Sequence, residues 1–196
     1  MLGAKCIPNV LTSLRIVLTV AWMYVIKLVE VNGQHRTSIN LAVILFILIC
    51  LTDLFDGKAA RKMKAVTKFG SVFDVIADFI FISSSNILLG IYNLVPKWFI
   101  LVVIFKFAEF LITSRIIKKY GEYKSSLFVF DYIGRVAAVN FFLIPGVFML
   151  VYKGLDKSYG YILIYLTLLL VIISSCSRVY KCCKVLYKIK TIKRLI

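Results

Sequence analysis

Apolar runs of membrane-spanning length alternate along this chain with short polar breaks. The runs cover residues 11–29, 39–61, 71–93, 98–117, 127–152 and 159–180. The breaks fall at Asn32-Gly33, at Gly70, between Asn93 and Pro96, at Gly121 and between Gly154 and Gly160. A bilayer core of roughly 30 Å asks for about 20 apolar residues per helical span. Backbone amides find no water partner in lipid, so an element that crosses must satisfy its own hydrogen bonds, as a helix does. The pattern predicts an all-α integral membrane protein with six transmembrane helices. Pro145 and Gly146 predict a kink in the fifth. No internal repeat or low-complexity segment breaks this order.

Composition agrees. Hydrophobic residues make up 61 % of the 196 residues and charged residues only 17 %. That excludes an ordinary soluble domain and leaves no stretch for one, so residues 1–196 read as a single membrane domain. A net charge of +16 is a common mark of nucleic-acid binding, but here the basic residues sit in short loops between apolar runs. There they set orientation and attract anionic headgroups. Lys58, Arg61, Lys62, Lys64 and Lys68 follow the second run, and Arg115, Lys118, Lys119 and Lys124 follow the fourth. A basic tail from Arg178 to Arg194 follows the sixth, while the other side carries only Lys27, Arg36, Lys97, Lys153 and Lys157. The asymmetry places both termini in the cytoplasm. Five cysteines without metal spacing and a lone histidine, His35, give no zinc site of the usual kind. Cys182 and Cys183 lie beside a basic juxtamembrane tail, where acylation is conceivable, but they read first as unmodified thiols. The first apolar run is long enough to stay as a span and has no clear small-residue cleavage site after it.

Against this background one stretch is anomalous. Residues 53–78 read DLFDGKAARKMKAVTKFGSVFDVIAD and hold four of the nine acidic residues, Asp53, Asp56, Asp74 and Asp78. Asp53 and Asp56 are three apart and Asp74 and Asp78 four apart, so each pair shares one helical face. The purely apolar part of the second run, 41–51, is too short to span, so that helix must include its aspartates. The predicted topology puts all four carboxylates toward the cytoplasmic face, with Asp78 recessed about 12 Å along its helix from Gly70 at 1.5 Å per residue. Four unpaired carboxylates there would repel one another and resist desolvation. Pairing with Arg61, Lys62 and Lys68 is one resolution. Divalent cations are the better one, since all-oxygen donor sets suit Mg²⁺ or Mn²⁺ and two such ions can clamp a diphosphate. Gly57, Ala59, Ala60 and Gly70 leave space for a bulky ligand, and Arg61 offers a forked phosphate donor.

The arrangement Asp53-x-x-Asp56-Gly57-x-x-Ala60-Arg61, eight residues, then Gly70-x-x-x-Asp74-x-x-x-Asp78 resembles the signature of the CDP-alcohol phosphotransferases. The opening Pro8-Asn9-Val10-Leu11-Thr12-x-x-Arg15 is similar to one common in the family's phosphatidyltransferase branch. The resemblance covers the first three helices by motif and the whole chain by topology. It implies that the hydroxyl of an alcohol attacks a CDP-linked lipid, normally CDP-diacylglycerol, with release of CMP. It implies that Asp53, Asp56, Asp74 and Asp78 bind two Mg²⁺ or Mn²⁺ ions and that Asp78 is also the general base. Gly57, Ala60 and Gly70 would make room for the nucleotide, with Arg61 near its diphosphate. A homodimer in a bacterial cell membrane, active on the cytoplasmic side, is expected from the resemblance only.

The acceptor alcohol must be read elsewhere. Lys106 and Glu109 in the fourth run, and Asp131 and Arg135 in the fifth, are intramembrane charges spaced to pair within their own helices. Arg115 and Arg135 are the candidates for an acceptor phosphate, and glycerol 3-phosphate is the leading acceptor. Serine, phosphatidylglycerol and inositol phosphate stay open. The family's glycerol-phosphate branch usually has Asp-Lys where this chain has Asp78-Phe79, and an Arg-Glu pattern where it has Lys106-Phe107-Ala108-Glu109. A divalent cation transporter is the rival from another class. It is disfavoured because the carboxylates gather toward one face rather than the midplane, and because transport gives no reason for the fixed glycines, alanine and arginine. The complete aspartate set argues against an inactive scaffold.

Overall fold

The computed structural model describes the backbone of residues 2–31, 35–62, 67–120 and 131–195, and the side chains of 9–31, 35–55, 67, 69–119 and 131–187. The chain forms α1 (Leu2–Val31), α2 (Arg36–Lys62), α3 (Lys68–Ile91), α4 (Phe99–Tyr120), α5 (Tyr132–Tyr152) and α6 (Lys157–Leu195). No strand occurs among the described residues. α2, α3, α5 and α6 contain stretches long and apolar enough to cross a membrane by themselves. α1 and α4 carry charges within their apolar runs, Arg15 in α1 and Lys106 with Glu109 in α4. These do not face lipid: Arg15 and Lys106 are buried against neighbouring helices, as ionisable groups at membrane depth must be.

The apolar surface is turned outward on a scale that water would not tolerate. Val17, Val20, Tyr24, Leu101 and Ile162 each expose more than 60 % of their surface. In a bilayer these side chains meet hydrocarbon, so exposure carries no penalty. The chain is an integral, multi-pass membrane protein. Aromatic rings bridge the helices within a mostly aliphatic core. Trp22 of α1 meets Phe81 of α3 edge-on at 5.8 Å, and Phe81 packs on Phe142 of α5 at 4.6 Å. α1 lies against α2 and α3, α6 lies against α4 and α5, and α3 also touches α4 and α5.

The helix ends explain where the sequence-based boundaries shift. α3 starts at Lys68 because the Thr67 hydroxyl accepts the Gly70 N–H at 2.9 Å, a standard N-cap. α5 starts at Tyr132 rather than near 127 because the Asp131 carboxylate accepts the Gly134 N–H at 2.9 Å. α6 runs through the basic tail to Leu195 instead of stopping at 180, since that tail holds no glycine or proline to end it. At the head of α6 the exposed Asp156 carboxylate accepts the Ser158 N–H at 2.8 Å, and this bond holds its pKa below the usual value. Gly146 has a packing role: a Cβ there would lie 2.3 Å from the Phe46 ring of α2. Pro145 lies inside α5, which continues unbroken to Tyr152.

Candidate active site

The aspartate-bearing ends of α2 and α3 come together, and the predicted convergence is visible in the described members. Carboxylate oxygens of Asp53, Asp74 and Asp78 all lie within 4.8 Å of one another. Three hard oxygen donors at that spacing are a donor set that fits Mg²⁺ or Mn²⁺. Asp56, Gly57, Ala60 and Arg61 lie on the helical backbone of α2 just beyond Asp53, and their side-chain positions fall outside the described residues. A Cβ on Gly70 would stand 3.0 Å from the Thr67 hydroxyl and 3.1 Å from the Asn9 amide oxygen. The glycine thus lets the capped end of α3 approach α1 closely.

The cluster contains a residue to which sequence reasoning gave no role. Arg15 of α1 is fully buried and directs its guanidinium into the carboxylates. Its Nη2 lies 2.9 Å from Asp53 Oδ1, its Nη1 lies 3.0 Å from Asp74 Oδ1, and Nη1 also bonds Asp78 Oδ1. The signal was present, because Arg15 closes the Pro8-to-Arg15 motif and interrupts an otherwise apolar run. Its partners 59 and 63 residues away were not legible.

Beside the cluster a cavity of about 330 Å³ opens between α3, α4, α5 and α6. Asp78 belongs both to the carboxylate cluster and to the cavity wall. Facing it are apolar side chains, among them Phe79 and Phe107 stacked at 3.8 Å, together with Lys106, Asp131, Arg135 and Arg178. The two arginines considered for the acceptor therefore separate. Arg135 lines the cavity, whereas Arg115 is exposed on α4 and is not among the lining residues.

Lys106, Glu109, Asp131 and Arg178 form one buried network with the serines and threonines between them. Lys106 pairs with Glu109 at 2.8 Å as their spacing predicted, and also donates to Ser174 and Ser175 of α6 at 2.9 and 3.2 Å. The expected pairing of Asp131 with Arg135 is corrected. Asp131 sits at the cap of α5, not within it, and its carboxylate is taken by Arg178 of α6 at 2.9 Å and by the Ser174 hydroxyl at 2.8 Å. Arg178 also donates to Thr113 at 2.6 Å, to Ser114 at 3.0 Å and to the Phe110 carbonyl at 3.2 Å. It stitches α4, α5 and α6 together at the cavity edge. The sequence had placed Arg178 in the basic tail, and nothing local distinguishes it from its neighbours there.

The sequence profile of the CDP-alcohol phosphatidyltransferase family matches residues 5–173, a span that contains the carboxylate cluster and the cavity-lining residues of α3 to α5. The CDP-diacylglycerol--glycerol-3-phosphate 3-phosphatidyltransferase of Bacillus subtilis is 35 % identical over 115 residues, covering 55 % of this chain and 58 % of that protein. A protein of the same name from Rickettsia typhi is 39 % identical over 85 residues, covering 43 % of this chain and 45 % of its own. A putative cardiolipin synthase of Mycobacterium bovis is 27 % identical over 135 residues, covering 69 % and 60 %. The chain spans about half the length of the relatives it matches, from 43 to 60 %.

Proposed function

Since this chain belongs to the CDP-alcohol phosphatidyltransferase family, we propose that it transfers a phosphatidyl group from CDP-diacylglycerol to glycerol 3-phosphate, forming phosphatidylglycerophosphate and releasing CMP. The observation that carries this reading is the double placement of Asp78, which joins the carboxylate cluster to the cavity. The cluster suits the nucleotide half of the reaction and the cavity suits the acceptor half. One carboxylate common to both stands where an acceptor hydroxyl would meet the diphosphate.

The acceptor hydroxyl oxygen forms a bond to the lipid-side phosphorus. The bond from that phosphorus to the CMP oxygen breaks, and the hydroxyl proton passes to Asp78. Asp53, Asp56, Asp74 and Asp78 would hold Mg²⁺ or Mn²⁺, which supply charge neutralisation at the diphosphate when bound. Gly57, Ala60 and Gly70 leave room for the nucleotide, and Arg61 meets its diphosphate. Arg135 holds the acceptor phosphate from the cavity wall, while Arg115, exposed on α4, helps draw an anionic acceptor toward the site. The apolar wall excludes water and so protects the activated phosphorus from hydrolysis.

The basic loops support a cytoplasm-facing site in a bacterial cell membrane. A homodimer stays part of this reading on the family resemblance alone. The likeness to a putative cardiolipin synthase supports one second reading, the same transfer with phosphatidylglycerol as acceptor.

An acceptor screen tests the proposal. Purified protein, CDP-diacylglycerol and Mg²⁺ or Mn²⁺ are combined with glycerol 3-phosphate, phosphatidylglycerol, serine or inositol phosphate, and CMP release is followed. Glycerol 3-phosphate should give the fastest release. CMP release with none of the four would refute the transferase reading, and preference for phosphatidylglycerol would select the second. Asp78→Asn should abolish turnover while CDP-diacylglycerol binding persists.

A further inference from the structure

We propose that Arg15 is an internal counter-cation of the carboxylate cluster, which competes with divalent cations for Asp53, Asp74 and Asp78 and so sets how tightly the cluster holds them. This inference rests on the reading above that these carboxylates hold Mg²⁺ or Mn²⁺.

The geometry points to competition rather than to support alone. Arg15 is fully buried, and its guanidinium cannot shed its charge. The fork spans two helices, with one nitrogen on Asp53 of α2 and the other on Asp74 and Asp78 of α3. The oxygens it engages, Oδ1 of all three residues, belong to the carboxylates whose mutual approach makes the cluster a cation site. A guanidinium and a hard cation therefore seek the same negative charge within one small volume. A carboxylate has two oxygens, so the competition is a coupling rather than a mutual exclusion.

Two effects of Arg15 on metal affinity oppose each other. It gathers three repelling carboxylates, which favours a metal. It also sets a fixed positive charge beside an ion carrying two, which disfavours one. The second effect is larger here. Asp53, Asp74 and Asp78 already stand on helices α2 and α3, with Asp74 and Asp78 one turn apart on the same helix. Little ordering of the ligands is left for the arginine to supply. The repulsion scales with the product of the charges and acts in a site from which Arg15 cannot withdraw into water.

The experiment measures Mn²⁺ binding to the purified full-length chain in detergent micelles, by the electron paramagnetic resonance of free Mn²⁺, without substrate or turnover. Arg15→Gln removes the charge while keeping a polar side chain. It should bind Mn²⁺ about tenfold more tightly than the parent, within the range typical of coupled sites. In the presence of a chelator it should melt at a lower temperature than the parent, and Mn²⁺ should raise its melting point by more. Arg15→Met also removes the charge, with an apolar side chain of similar reach, and should bind more tightly by a similar factor. It decides the question in the same direction if the glutamine variant does not fold. Asp74→Asn locates the signal at the cluster. Equal or weaker Mn²⁺ binding by the Arg15 variants, with binding by the parent still dependent on Asp74, overturns the role of Arg15 alone. Absence of Asp74-dependent binding in the parent overturns the metal reading and this inference with it.

Discussion

Replacing Arg178 by methionine should test whether the buried network truly ties α4, α5 and α6 together. Methionine preserves length and apolar contact but removes the charge and every donor. The side chains of Arg178 and Asp131 are only 3 % and 9 % exposed, and their Nη1–Oδ1 contact is 2.9 Å. Breaking a buried ion pair costs about 3–5 kcal/mol when one partner stays behind unpaired. Thr113 and Ser114 also lose the guanidinium they accept from. Interhelical hydrogen bonds within membranes average only about 0.6 kcal/mol each, because the unfolded chain in lipid also finds partners. Asp131 keeps the Gly134 N–H and Ser174 hydroxyl. These two considerations place Arg178→Met at the lower end, about 3 kcal/mol of destabilisation. For a chain of this size that lowers Tm by about 6–12 °C, readable by thermal unfolding in micelles. Asp131→Asn keeps an N-cap but strands the arginine charge. The double variant Asp131→Asn with Arg178→Met removes both charges, so it should be less destabilised than the two singles added, by at least about 1 kcal/mol. A loss below about 1 kcal/mol for Arg178→Met, or additivity within about 0.5 kcal/mol, would refute the network as a structural tie.

Three further outcomes are expected. Arg135→Gln should raise KM for glycerol 3-phosphate about 10- to 100-fold, the worth of a charge-assisted hydrogen bond, while KM for CDP-diacylglycerol moves little; equal effects on both would remove Arg135 from the acceptor site. Gly146→Ala forces a Cβ to 2.3 Å from the Phe46 ring, which is itself packed on Phe81 and Phe142, and should cost about 1–3 kcal/mol in thermal stability. Chelation of divalent cations should stop CMP release, and adding Mg²⁺ or Mn²⁺ back should restore it; turnover that survives chelation would exclude the metal role of the aspartates.

The sequence by itself determined the number and type of the helices and the meeting of Asp53 with Asp74 and Asp78. Both rest on local properties. Span length follows from bilayer thickness, and a shared helical face follows from spacings of three and four residues. The pairing of Lys106 with Glu109 was legible for the same reason. Tertiary structure alone decided which distant charge answers which. Spacing suggested Arg135 as the partner of Asp131, but Asp131 lies at the helix cap and meets Arg178, 47 residues away. Arg15 reaches Asp74 and Asp78 only because α1 packs against α3. The separation of Arg135 from Arg115 likewise needed the cavity, whose walls come from four helices. In a bundle whose exterior is lipid, every buried charge must find its counterpart inside, and the choice among counterparts belongs to the packing of helices rather than to any one of them.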